Sequence, residues 1–148
     1  MKIEYHNLYT HFILITKDRT PSIPQNNRER IEKYLTGIIN NNNSKLYNIY
    51  ANPEHIHFLA SRSPNISEEI LAAIVADSSS KFINEYKLSV GVFERQESAS
   101  AFSVSKSDGD KVCKYILNQP NHHKNISFAE EYNELLRHYQ STLKWEIS

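Results

Sequence analysis

Three features of the amino-acid sequence predict an α+β fold built on one antiparallel sheet. Runs rich in β-branched and aromatic residues occur at 9–16, 46–50, 55–61 and 91–105. Segments with apolar residues at helical spacing separate and follow them. The resulting order is β-α-β-β-α-β followed by two more helices. That is a ferredoxin-like sheet of four strands, with two helices on one face and additional C-terminal helices.

Each element has a local reason. Residues 9–16, Tyr-Thr-His-Phe-Ile-Leu-Ile-Thr, read as a largely buried first strand. Two prolines make 17–27 a loop. From Arg28, the residues Ile31, Tyr34, Leu35, Ile38 and Ile39 mark one helical face, ended by four asparagines at 40–43. Residues 46–50 and 55–61 flank an Asn52-Pro53 turn and predict a hairpin. Ser67 caps a long helix carrying Ile70, Leu71, Ile74, Val75, Phe82 and Ile83. Strand chemistry returns over 91–105, and Ser107 or Asp108 caps a helix through Val112, Cys113, Ile116 and Leu117. Ser127 and Glu130 have capping-box spacing and open a last helix, from 128 to about 139.

Composition narrows the class. A chain of 148 residues suits one domain, 1–148, with a proper core. No apolar run approaches the roughly 20 residues of a membrane span, and the polar N-terminus has no signal-peptide core. The single cysteine excludes an intramolecular disulfide and a multi-cysteine zinc site. A soluble, cytoplasmic protein is expected. Net charge is zero, so any nucleic-acid footprint must be local to one face.

Chemistry concentrates in two places. His55 and His57 alternate with Ile56 on one strand, so both imidazoles share a face, about 7 Å apart along the chain. Such a pair holds a divalent metal if another ligand joins it; equally, it is a buried pair bonded to its neighbours. Tyr115 and Gln119 stand at i and i+4 of the later helix, close to Lys111. Tyr115 flanks the apolar stripe, where it serves either as a nucleophile for a phosphodiester or as an amphipathic cap on the core edge. Cys113 reads as a small core residue. His122 and His123 read as solvated groups after a helix end.

These pieces together resemble the single-tyrosine transposases of the HUH endonuclease superfamily, the enzymes of single-strand insertion sequences and their REP-associated relatives. Three stretches carry the likeness: Pro53-Glu54-His55-Ile56-His57-Phe58-Leu59, the strand at 101–107, and the tyrosine helix from Tyr115 through Gln119 with the tail to about 139. The resemblance implies that His55, His57 and Gln119 bind a divalent metal, Mg²⁺ or Mn²⁺. It implies that Tyr115 attacks single-stranded DNA, leaving a 5′-phosphotyrosine and a free 3′-OH that allows rejoining. It further implies hairpin-containing DNA as partner and a homodimer in which the tyrosine helix of one subunit can serve the other.

For the DNA groove, Arg95, Lys106 and Lys111 supply positive charge, and Tyr86 and Phe93 supply aromatic faces. Where the family strand carries an aromatic, a glutamine and a glycine, this chain has residues 93–100, Phe-Glu-Arg-Gln-Glu-Ser-Ala-Ser. Pro120 disfavours regular helix at Gln119. A non-catalytic nucleic-acid-binding module on the same sheet is the alternative, and a phosphoesterase without a covalent step is another.

Overall fold

The apolar run at the N-terminus becomes strand β1 (Tyr9–Ile15), the central strand that both neighbours need as a partner. In the computed structural model, which describes residues 1–140, β1 pairs with β3 (His55–Ser61) and β4 (Ser98–Ser103). The outer strand β2 (Lys45–Ala51) forms the expected hairpin with β3. All pairings are antiparallel and the order is β2-β3-β1-β4, as the ferredoxin-like arrangement requires. Helices α1 (Arg28–Asn41) and α2 (Glu68–Glu85) fill the two crossovers. The described chain divides into two compact units, Met1–Leu117 and a second beginning at Asn118. Residues 141–148 of the expected domain lie outside the described residues.

Strand alternation assigns the two faces of the sheet. Phe12, Leu14, Ile56, Phe58 and Ala60 join Ile31, Leu35 and Ile39 of α1 and Leu71, Val75 and Ile83 of α2 in the main core. Phe12 and Phe58 are register partners and stack with centroids 4.6 Å apart. In β2 the pairing slips between Leu46 and Asn48, leaving Tyr47 as an extra residue. Plain alternation would send Leu46 and Ile49 to opposite faces. The bulge lets both pack on the helix-side core.

Glu32 ties α1 to the end of β2. Its Oε2 accepts the Ala51 N–H at 2.8 Å, and Arg28 Nη1 donates to both carboxylate oxygens at 2.9 and 3.0 Å. Burial raises the Glu32 pKa above its ordinary value, against the opposing pull of the Ala51 N–H and Arg28. Glu32→Ala leaves a strand N–H and a guanidinium without their acceptor and is expected to cost about 1–3 kcal/mol in urea unfolding. Because the folded-state value is raised, this group favours folding most below the ordinary carboxylate range, and that contribution fades as pH rises through the raised value. Glu32→Gln is expected to flatten that part of the stability–pH curve.

Two expectations need correction. The fourth strand starts at Ser98, not near Gly91. Over the preceding segment, α2 side chains satisfy the backbone in place of a neighbouring strand. Phe93 N–H donates to Asn84 Oδ1 at 2.7 Å, and Phe93 O accepts from Asn84 Nδ2 at 3.0 Å. The helix expected to run through Tyr115 and Gln119 is broken. Helix α3 (Gly109–Leu117) ends before Asn118, and a separate short helix, α4 (Gln119–His122), begins with Pro120 in its first turn. Proline has no N–H to continue the α3 hydrogen-bond ladder.

In the second unit, α5 (Phe128–Gln140) follows α4. Ser127 Oγ accepts the Glu130 N–H at 3.2 Å, as the capping spacing predicts, while the Glu130 carboxylate accepts the Ser127 hydroxyl. Among the described residues no helix is long and apolar enough to cross a membrane.

Candidate active site

The face of the sheet opposite α1 and α2 carries the histidines. On β3, His55 and His57 alternate with the core residues Ile56 and Phe58, and both imidazoles are fully buried. Their ring centroids are 4.9 Å apart, closer than the strand repeat, with the rings edge-on at 78°. A third imidazole, absent from the sequence reading, stands beside them. His11 of β1 pairs in register with Leu59, which puts it diagonal to His57, the partner of Ile13. His11 Nε2 and His57 Nδ1 lie 2.9 Å apart in a buried hydrogen bond. His55 Nδ1 lies 2.7 Å from Glu54 Oε1, and its Nε2 lies 3.2 Å from Asn52 Nδ2. One signal for His11 was available: a histidine in the middle of a strand predicted to be buried requires a polar partner.

Tyr115 reaches this face from α3. The stripe of Val112, Cys113 and Ile116 packs α3 on Leu59, Val104, Tyr9 and Tyr50, so Cys113 is a small core residue as expected. A tight 3₁₀ turn, Lys106–Asp108, leads into the helix. Tyr115 flanks the stripe, half-buried, with its ring centroid 5.7 Å from that of His57 and 6.3 Å from that of His11, both edge-on. Phe102 of β4 adds an edge contact to His11 at 6.4 Å. The face therefore joins three imidazoles and a phenol, a set suited to binding a divalent cation and presenting an oxygen nucleophile.

Gln119 lies in the second unit and is buried. Its Nε2 donates to Glu131 Oε2 at 2.8 Å, and its Oε1 lies 3.0 Å from His123 Nε2. Glu131, also buried, lies 3.2 Å from His123 and 3.5 Å from His122. These two histidines are thus members of a carboxylate-centred network, not simply solvated groups past a helix end. Glu131 was missed because only the turn between α4 and α5 brings it to Gln119.

The residues expected to guide DNA differ in placement. Lys106 and Lys111 are exposed, and Lys111 is one helical turn before Tyr115 on α3. Arg95 is held by Asp77 at 3.0 Å. Tyr86 is half-exposed beneath the Arg30 guanidinium, 4.9 Å from its ring centre. Phe93 is 3% exposed within the main core, so it offers no face to a base.

Comparison with known proteins bears on the family and the fold. The family described as "Transposase IS200 like" matches residues 4–119, which include the histidine strand and the tyrosine helix. No curated protein matches the chain. Among solved structures, a candidate transposase from Deinococcus radiodurans R1 aligns over 80% of this chain and 96% of its own, at 18% identity and a TM-score of 0.58. A REP-associated tyrosine transposase bound to a REP hairpin aligns over 83% of this chain and 72% of its own, at 10% identity and a TM-score of 0.61. At such identities these two likenesses speak for the fold, and the family match reaches further: the chain belongs to the IS200-like transposases, the single-tyrosine DNA transposases of the HUH superfamily.

Proposed function

We propose that this DNA transposase is a metal-dependent endonuclease and strand transferase that cleaves single-stranded DNA through Tyr115. The observation that carries the reading is the Tyr115 ring lying against His57 and His11 on the buried histidine face. Attack by the Tyr115 oxygen forms an Oη–phosphorus bond and breaks the bond from phosphorus to the 3′ oxygen. The phenol loses its proton and the departing 3′ oxygen gains one. The product is a 5′-phosphotyrosine, and attack by a 3′-OH reverses the step and rejoins DNA without ATP. A free tyrosine has a pKa near 10, so the phenol needs help to lose its proton at neutral pH.

His55 and His57 fit a divalent cation by their chemistry: two buried imidazoles on one face, each with Nδ1 already hydrogen-bonded to a neighbour. Gln119 is the third ligand by the family resemblance. A bound cation would neutralise charge on the non-bridging phosphate oxygens. Nitrogen ligands suit Mn²⁺ better than Mg²⁺, and either remains a candidate. Lys106 and Lys111 are proposed to contact the DNA backbone, and Arg95 to do so on release from Asp77. Hairpin-marked element ends are the proposed substrate, which the hairpin held by the REP-associated relative supports. A homodimer, with the tyrosine acting in its own or its partner's site, completes the reading.

The deciding experiment is a denaturing-gel assay for a covalent protein–DNA adduct. Single-stranded oligonucleotides from the DNA flanking the reading frame are incubated with Mn²⁺ or Mg²⁺, beside EDTA controls. A metal-dependent adduct is expected. Hairpin binding without any adduct would instead favour the non-catalytic binding module.

A further inference from the structure

We propose that the outer surface of α1 and α2 is a second binding site, one that stacks the bases of a single DNA strand. The proposal goes beyond the chemistry of Tyr115 and takes from the family only its substrate, DNA. At its centre is an aromatic stack. Tyr34 of α1 lies face to face on Phe82 of α2, with centroids 4.1 Å apart and planes 4° from parallel. Tyr86, which caps the end of α2, meets Phe82 edge-on at 5.0 Å. The Arg30 guanidinium covers the group, 5.4 Å from the Phe82 centroid and 4.9 Å from that of Tyr86. Phe82 is buried, but Tyr34 and Tyr86 keep 37% and 52% of their surface in solvent.

The surrounding charge points to an anion. Among the described residues no carboxylate pairs with Arg30, Lys33, Lys81 or Lys87, whereas Arg28, Arg62 and Arg95 each hold one. All four cations are exposed and stand within a helical turn of the stack. The nearby acids are Glu29, 3.7 Å from Arg28, and Glu85. In a chain of zero net charge this is the local basic footprint that a nucleic acid requires. Two residues of the same surface run against local stability. Gly37 follows Tyr34 by three positions in the interior of α1, where helices disfavour glycine, and a Cβ there would meet nothing within 4 Å. Lys87 holds φ at 52°, the left-handed position past a helix end that glycine takes at least cost. Both choices serve contact outside the chain. The glycine lets a strand approach the α1 backbone beside Tyr34, and the lysine sets a cation beside Tyr86. Aromatic faces flanked by cations suit unpaired bases of any sequence. A duplex hides its bases, and an acidic peptide lacks the rings. The site lies across the sheet from the histidines, so the nucleotides it holds are not those at the reacting phosphate.

The test is titration of the full chain, with EDTA present, with fluorescein-labelled oligo(dT), whose bases neither pair nor fold. In ¹H–¹⁵N spectra of the same titration, shifts are expected at 30–37 and 81–87; shifts confined to other residues overturn the proposal. Tyr86→Ala is expected to weaken binding roughly 5- to 150-fold, the range for losing one stacked base, and Tyr86→Trp to restore it. Lys33→Gln is expected to lower the slope of log K against log salt by about 0.7, the value for one phosphate of a single strand. Gly37→Leu separates binding from folding, because it is expected to raise the unfolding temperature while weakening oligo(dT) binding. Unchanged binding in either Tyr86→Ala or Gly37→Leu overturns the proposal. Equal competition by a duplex of the same length, or by polyglutamate, also overturns it. A protein that binds oligo(dT) here yet forms no covalent adduct keeps this site and sinks the cleavage reading instead.

Discussion

Tyr115→Phe is expected to abolish the covalent DNA adduct while leaving the fold and hairpin binding in place. The substitution deletes one oxygen and keeps the ring, so the edge-on packing against His57 and the contact with the apolar cluster of α3 survive. Thermal unfolding is expected to move little, because the ring and its packing are kept. Removing the attacking atom from a covalent catalyst costs far more than weakening a neighbour, and the loss of cleavage is expected to exceed about a thousandfold. Single-turnover cleavage of a labelled strand, read with a gel-shift assay on the same preparation, separates the two effects. A variant that still cleaves at the wild-type rate would remove Tyr115 from the role of nucleophile.

His57→Ala is the second large effect. It is expected to eliminate metal-stimulated cleavage, bringing the protein to the level seen with EDTA. The change does two things at once, since it removes a proposed ligand and strips His11 Nε2 of its 2.9 Å partner inside a closed environment. The second consequence alone is expected to cost about 1–3 kcal/mol of stability. Activity is therefore measured well below the unfolding midpoint, beside Mn²⁺ titration of the same sample. A folded His57→Ala protein that keeps metal-dependent cleavage would refute the histidine metal site.

Much of this was legible in the sequence because the signals were local. The hairpin at the Asn52-Pro53 turn, the Ser67 cap and the alternation that sets His55 and His57 on one face all depend on neighbours in the chain. The partnership of His11 with His57 depends on the register of two strands separated by a helix and another strand, which no local pattern records. The segment before β4 misled for a related reason. Val92 and Phe93 have strand chemistry, yet the Asn84 amide, on a helix, takes up the Phe93 backbone. Pro120 gave warning of irregular helix near Gln119, and the structure turns that warning into a full break after Leu117.

The different anchoring of α1 and α2 and of α3 has a dynamic consequence. Helices α1 and α2 are anchored in the main core by many fully buried side chains. In contrast, among the described residues α3 contributes one buried side chain, Ile116, to a small cluster with Leu59 and Val104, and its Val112, Cys113 and Tyr115 pack there only partly buried. Elements with little buried apolar surface open locally before the whole domain unfolds. Hydrogen exchange is therefore expected to reach the amides of α3 sooner than those of β1 or β3. Tyr115 then rides on a more easily loosened helix, while the imidazoles of His11, His55 and His57 stay on strands buried in the sheet.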